Sequence, residues 1–87
     1  MRNIVFEAKG FEQFNSWALE NKKIYKKIIK LINNIQRTPY EGLGKPERLK
    51  HQLSEYWSRR ITSEHRLVYK VTEDNLIIVS CKYHYDK

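Results

Sequence analysis

The chain has 87 residues, of which 17 are lysine or arginine and 10 are aspartate or glutamate, so its formal net charge is +7 at pH 7. A chain of this length builds one modest core, which excludes a second domain and predicts a single domain over residues 1–87. The positive charge attracts phosphate backbones, anionic membranes and acidic proteins, so it narrows the class of partner without identifying a function.

The N-terminal half has patterns typical of one strand followed by two helices. Residues 3–7 are rich in β-branched and aromatic side chains, which favour a strand. Residues 11–20 carry apolar side chains at spacings of three and four, which predicts a first helix. Asn21 is a suitable N-cap for a second helix, in which residues 24–35 form one apolar stripe. This helix should end at Thr38, because a residue before proline disfavours the α conformation.

The C-terminal half has patterns typical of antiparallel strands. Residues 38–49 contain both prolines and two of the three glycines, which indicates a structured loop. Strands are predicted over residues 56–61, 66–72 and 76–83, with a further short strand around residues 50–53. The order of elements predicts an α+β fold, in which an N-terminal strand and a two-helix hairpin precede a mostly antiparallel sheet of 4–5 strands. Both helices would cover one face of this sheet and leave the other open to a ligand.

The alternation of side chains along the strands predicts which polar groups lie on the open face. Arg59 and Arg60 are adjacent, so they point to opposite faces and at least one reaches the open face or an edge. In the next strand the apolar positions alternate with Arg66, which places Arg66 on the open face. His84 follows the polar set of the last strand if pairing persists that far, and Glu47 lies in the preceding loop.

A carboxylate, an arginine and a histidine on a basic open surface are the groups needed to cleave RNA without a metal. RNA supplies its own nucleophile, the 2′-OH, so the protein needs a base, a cation for the phosphorane and an acid for the departing 5′-oxygen. Glu47, Arg66 and His84 suit these three roles. The same residue types are common on solvated surfaces, so residue chemistry alone favours a basic binding module over a ribonuclease.

The number and spacing of cysteine and histidine residues argue against a disulfide, a Cys-His nucleophile pair and a zinc site. Cys81 is the single cysteine, so an intrachain disulfide is excluded and a reducing compartment fits best. Cys81 and His84 lie three apart in a predicted strand and face opposite ways, and no zinc-ligand spacing is present, so we expect neither a Cys-His pair nor a metal. Cys81 is interpreted as a core residue. No segment predicts a membrane span or a signal peptide, so we expect a cytoplasmic protein without a membrane partner.

Two segments closely resemble one protein family. GKPERLKHQLSEYWSRRITSEHRLVY at residues 44–69 and CKYHY at residues 81–85 resemble the YoeB (Txe) toxins of bacterial toxin–antitoxin pairs, within the RelE-like group. The likeness extends to the helical segment at residues 26–42. The resemblance implies an RelE-like fold and an endoribonuclease, or mRNA interferase, that enters the ribosomal A site and cuts mRNA there without a cofactor, which stops translation.

The resemblance also implies roles for individual residues. The catalytic positions of the family match Glu47 in GKPE, Arg66 in EHRLVY, and His84 and Tyr85 in KYHY. The basic residues expected to bind RNA or the ribosome are Lys45, Lys50, His51, Arg59, Arg60 and Lys82. For Lys50, His51, Arg59 and Arg60 the alternative role is to stabilise the fold.

The resemblance implies partners as well. A cognate YefM/Axe-like antitoxin, mRNA and the ribosome are expected, and a homodimer is compatible with this interpretation. Operator DNA would be bound only through the complex with the antitoxin. The alternative hypothesis is a basic module that binds the ribosome or RNA and blocks translation by occupancy, without cleavage.

Overall fold

The computed structural model describes residues 1–84 and has two helices and a five-stranded sheet in that part of the chain. The strands and helices are β1 (Asn3–Phe6), α1 (Ala8–Glu20), α2 (Lys22–Arg37), β2 (Glu47–Arg48), β3 (Trp57–Arg60), β4 (Arg66–Val71) and β5 (Asn75–Ser80). A short 3₁₀ helix, His51–Leu53, lies between β2 and β3. The predicted α+β class is confirmed, whereas the prediction for Tyr85 lies outside the described residues.

The strand order is β1-β5-β4-β3-β2, with β1 parallel to β5 and every other pair antiparallel. The core lies between one face of this sheet and both helices. It includes Trp17 from α1, Ile28 and Ile35 from α2, and Leu67 and Ile78 from the sheet. The prediction that both helices cover the same face is therefore confirmed. Neither helix in residues 1–84 is long and apolar enough to cross a membrane.

The boundary between the helices is set by Asn21, as the sequence predicts. Its side-chain oxygen accepts hydrogen bonds from the backbone N–H groups of Lys23 and Ile24, which satisfies two free donors at the start of α2. The first helix begins at Ala8, three residues before the predicted start. Gly10 permits this, because a Cβ at this position would lie 2.8 Å from the carbonyl oxygen of Ile78. The first turn of α1 therefore packs directly against the backbone of β5.

Two strand predictions are wrong by more than one residue at an end. The short strand expected around residues 50–53 is a 3₁₀ turn, and the pairing strand is instead Glu47–Arg48, which is antiparallel to β3. The last strand ends at Ser80 instead of residue 83. The reason lies in α1, whose side chains take both backbone hydrogen bonds of Cys81. Gln13 accepts from the Cys81 N–H at 2.7 Å and the Trp17 indole donates to its carbonyl at 2.9 Å.

Arg59 is completely buried, whereas Arg60 is exposed, which agrees with their predicted opposite faces. The Arg59 guanidinium donates to the side chains of Asn34 and Tyr69 and to the carbonyls of Thr38, Glu41 and Leu43. Within residues 1–84 no carboxylate lies in ion-pair range of it. These hydrogen bonds join the end of α2 to the following loop. The guanidinium is thus occupied inside the protein, so the prediction that Arg59 binds RNA is corrected to its alternative, stabilising the fold.

We predict that Arg59→Lys lowers the free energy of unfolding by about 2 to 4 kcal/mol, because an ammonium group cannot satisfy acceptors spread around a planar guanidinium. Urea denaturation measures the change. The matched control is Arg60→Lys, in which the same substitution at an exposed neighbour should cost less than about 0.5 kcal/mol. Equal losses in the two variants would show that the buried hydrogen bonds contribute little.

Candidate active site

A cleft of about 260 Å³ lies on the face of the sheet opposite the helices. Its lining residues are Glu47, Arg48, Leu49, Lys50, Ser58, Arg66 and His84. The cleft therefore brings together three residues predicted to be catalytic and one predicted to bind RNA, although they are separated by up to 37 positions in the sequence.

The strand register explains why Glu47 and Arg66 meet. Glu47 pairs with Ser58 across β2 and β3, and Arg66 pairs with Arg60 across β3 and β4. Paired residues share a face, and Ser58 and Arg60 are two apart in one strand, so all four side chains belong to the open face. Ser58 has the small side chain in the middle of this set. The cleft follows from the space that this serine leaves between longer side chains.

Arg66 is fixed by the turn between β3 and β4. Its Nη1 donates to the carbonyls of Thr62 at 2.8 Å, His65 at 3.2 Å and Ser63 at 3.3 Å. Partial burial lowers the pKa of Arg66, the nearby charge of Arg60 lowers it further, and the carboxylate of Glu47 opposes both effects. An arginine remains protonated under all physiological conditions, so the cleft keeps a permanent positive charge. Within residues 1–84 the side-chain hydrogen bonds of Arg66 all use Nη1, so the other donors of the fork are open to an anion in this part of the chain.

His84 is exposed and is held by the same turn. Its Nε2 lies 3.0 Å from the carbonyl oxygen of Ser63. A carbonyl only accepts hydrogen bonds, so Nε2 carries a proton and Nδ1 is the ring nitrogen left to exchange a proton with a ligand. The turn at residues 62–63 thus fixes the cation and the histidine relative to each other.

The remaining predicted RNA-binding residues lie at different distances from the cleft. Lys50 lines it, and Arg60 is exposed beside Arg66 on the same face. Lys45 and His51 are exposed and have positive φ values of 50° and 61°, but neither lines the cleft. The structure therefore gathers part of the predicted basic set at the site.

Lys82 is directed toward α1 instead of the cleft. Its ammonium lies 3.1 Å from a carboxylate oxygen of Glu20 and 4.9 Å from the ring centre of Trp17. Both contacts place the charge on the helical side of the molecule. An RNA in the cleft would not meet this lysine without a change in these contacts.

Sequence reasoning assigned no function to His65, which is buried next to the site. Its Nδ1 accepts a hydrogen bond of 2.7 Å from the backbone N–H of Tyr83, one residue before His84. The sequence offers one weak signal, because His65 directly precedes Arg66 at the start of β4. The acceptor role depends on how the last segment returns to this turn, which strand alternation does not reveal.

Cys81 is fully buried, as expected for a core residue, and burial raises the pKa of its thiol to about 12. A thiol in this state is a poor nucleophile, because the thiolate is the reactive form. Within residues 1–84 no three His, Cys, Asp or Glu side chains are grouped closely enough to hold a metal ion. Glu47, Arg66 and His84 in the cleft offer acid–base and electrostatic chemistry.

Comparison with known proteins gives the same family from the sequence and from highly similar solved structures. Residues 6–85 match the model of the YoeB-like toxin of bacterial type II toxin-antitoxin systems. Toxin YoeB of Escherichia coli (strain K12) is 52% identical over 82 residues, which cover 94% of this chain and 98% of that toxin. The YoeB dimer from Staphylococcus aureus has a TM-score of 0.91 at 48% identity, covering 97% and 98% of the two chains. The YoeB-YefM complex from the same organism has a TM-score of 0.88 at 49% identity, covering 98% and 99%.

We predict that Cys81 of the native protein resists iodoacetamide at pH 9, where an ordinary exposed thiol is about half ionised. The same thiol should be alkylated rapidly in urea. As the pH rises from 9 toward 12, the unfolded chain loses this proton before the folded protein does, so this group then favours unfolding. Mass spectrometry of the alkylated protein measures both rates, and equal rates in the native and unfolded states would contradict the burial.

Proposed function

The chain belongs to the family of YoeB-like toxins of bacterial type II toxin-antitoxin systems, and we propose that it is a ribosome-dependent endoribonuclease that cleaves mRNA in the A site without a metal ion. The observation that carries this proposal is the shared cleft of Glu47, Arg66 and His84. A carboxylate, a permanent cation and a histidine with one ring nitrogen free of the turn are a sufficient set for phosphoryl transfer from RNA.

In the proposed reaction Glu47 removes the proton of the 2′-OH, and O2′ attacks the adjacent phosphorus. Arg66 stabilises the negative charge of the phosphorane through the donors that the turn leaves free. Nδ1 of a protonated His84 donates its proton to the 5′-oxygen as the P–O5′ bond breaks. The products are a 2′,3′-cyclic phosphate and a 5′-OH end. Tyr85, which lies outside the described residues, is proposed to position the phosphate or the histidine.

The basic residues around the cleft are proposed to hold the flanking phosphates of the message. This proposal is supported by the position of Lys50 in the lining of the cleft and of Arg60 beside Arg66, from which each would contact a phosphate next to the scissile one. The formal charge of +7 adds long-range attraction to ribosomal RNA and to mRNA. Binding should therefore weaken as the salt concentration rises.

We also propose a YefM-like antitoxin as the protein partner and a homodimer as an accessible state. Similar structures from Staphylococcus aureus include a YoeB-YefM complex and a YoeB dimer. A basic toxin surface suits an antitoxin segment that carries acidic residues. Operator DNA would be bound through that complex only, and the ribosomal target implies a cytoplasmic location.

We predict that Glu47→Gln and His84→Gln each slow cleavage by at least about 100-fold, because each removes one proton-transfer group. The proteins are added to a reconstituted translation reaction on a defined message, and new 5′ ends are mapped and tested for a free hydroxyl. The matched control is Glu73→Gln, which changes an exposed carboxylate in the β4–β5 turn outside the cleft and should cleave like the wild type.

This experiment distinguishes cleavage of mRNA from inhibition of translation by binding alone. Discrete 5′-OH ends from the wild type and the control, but not from the two cleft variants, support the proposed reaction. If all four proteins stop translation and leave the message intact, the protein is a binding inhibitor. Undiminished cleavage by either cleft variant would overturn the assignment of that residue.

A further inference from the structure

His65 links the turn that carries Arg66 to the segment that carries His84. Its side chain is buried, with 8% of the residue exposed, and its Nδ1 accepts the Tyr83 N–H at 2.7 Å. Its ring packs edge-to-face with Trp17, and the ring centres are 4.9 Å apart. Trp17 therefore holds the imidazole of His65 in place, and the imidazole in turn holds the backbone of Tyr83 next to His84.

The backbone of His65 also closes the turn between β3 and β4. Its N–H donates to the hydroxyl of Thr62 at 3.1 Å, and its carbonyl accepts from the N–H of Ile61 at 2.9 Å. The same carbonyl accepts from Nη1 of Arg66 at 3.2 Å. A shift of His65 would therefore be transmitted to Arg66 as well as to the last segment.

Tyr83 is the residue at which the last segment turns toward the cleft. It has a φ of 65°, a left-handed conformation that a non-glycine residue rarely adopts without support. That support comes from both of its backbone polar groups, since its N–H donates to His65 and its carbonyl accepts from the Arg66 N–H at 3.1 Å. His84 follows directly and reaches the carbonyl of Ser63.

We propose that His65 is a positioning residue for His84, acting through the Tyr83 N–H. The expected effect on catalysis rests on the proposed function, whereas the contact between His65 and Tyr83 does not. Because Nδ1 accepts a hydrogen bond, His65 holds its proton on Nε2, which lies 3.9 Å from a carboxylate oxygen of Glu64. Without this acceptor the strained turn at Tyr83 relaxes and Nδ1 of His84 no longer points at the 5′-oxygen. A misplacement of about 1 Å costs a reaction about 100-fold.

The test compares His65→Asn with His65→Leu. The amide oxygen of asparagine lies near the position of the histidine Nδ1 and still accepts the Tyr83 N–H, whereas leucine fills similar space without an acceptor. We expect His65→Leu to lower kcat for mRNA cleavage on the ribosome by about 10- to 100-fold with an unchanged KM, and His65→Asn to recover most of the loss. The matched control is Ile28→Val, a core change away from the cleft that lowers stability and leaves kcat of the folded protein unchanged.

A second measurement uses the free protein and does not depend on cleavage. Nitrogen-15 NMR should find the Nε2–H tautomer at His65, and hydrogen exchange at the Tyr83 amide should be slow in the wild type and His65→Asn but fast in His65→Leu. A proton on Nδ1, or equal exchange in the wild type and the leucine variant, would overturn the proposal. So would a leucine variant with wild-type kcat, or an asparagine variant as slow as leucine. If the wild type cleaves no message, the proposed function fails, and amide exchange alone decides whether His65 holds Tyr83.

Discussion

The buried guanidinium of Arg59 is the interaction on which the geometry of the site most depends. A buried charge is costly, and within residues 1–84 backbone carbonyls at the negative end of α2 and in the next loop compensate it in place of a carboxylate. These hydrogen bonds fix the conformation of the loop after α2, which contains proline and glycine and would otherwise have few regular backbone contacts. The carbonyl of Gly44 in this segment also accepts the Arg60 N–H at 2.6 Å, which attaches the loop to β3. Glu47 follows on a strand of two residues, so its position depends on this loop.

The site is thus assembled from two independently fixed parts. The loop bound by Arg59 positions Glu47 at the edge of the sheet. The turn between β3 and β4 binds the side chains of Arg66 and His84. Strand β3, which pairs with both β2 and β4, connects the two parts, and Ser58 in β3 leaves room for the cleft. A ligand therefore meets groups whose spacing is set before it binds. This preorganisation is what electrostatic stabilisation of a phosphorane requires.

Local patterns in the sequence predicted the elements whose structure is decided locally. The apolar stripe and Asn21 defined α2, and strand alternation placed Arg66 on the open face, because side chains in a strand have a period of two. Residue chemistry suggested Glu47 as a base, but only the family resemblance distinguished it from other exposed carboxylates, because a loop carboxylate has no distinguishing local pattern. The burial of Arg59 was beyond local reasoning, because three of its acceptors are carbonyls, which every residue carries. The end of the last strand at Ser80 likewise depends on tertiary contacts made by α1.

The central claim is that the open cleft cleaves RNA by using the 2′-OH of the substrate as the nucleophile. The most direct measurement is cleavage of a message that carries a single 2′-deoxynucleotide on the 5′ side of the mapped scissile bond, in a ribosome with that codon in the A site. We expect this message to remain intact at that bond, while an otherwise identical all-ribose message is cut to a 2′,3′-cyclic phosphate and a 5′-OH. Cleavage of the deoxy-substituted bond at the same rate would contradict the account, because the nucleophile would then have to come from elsewhere.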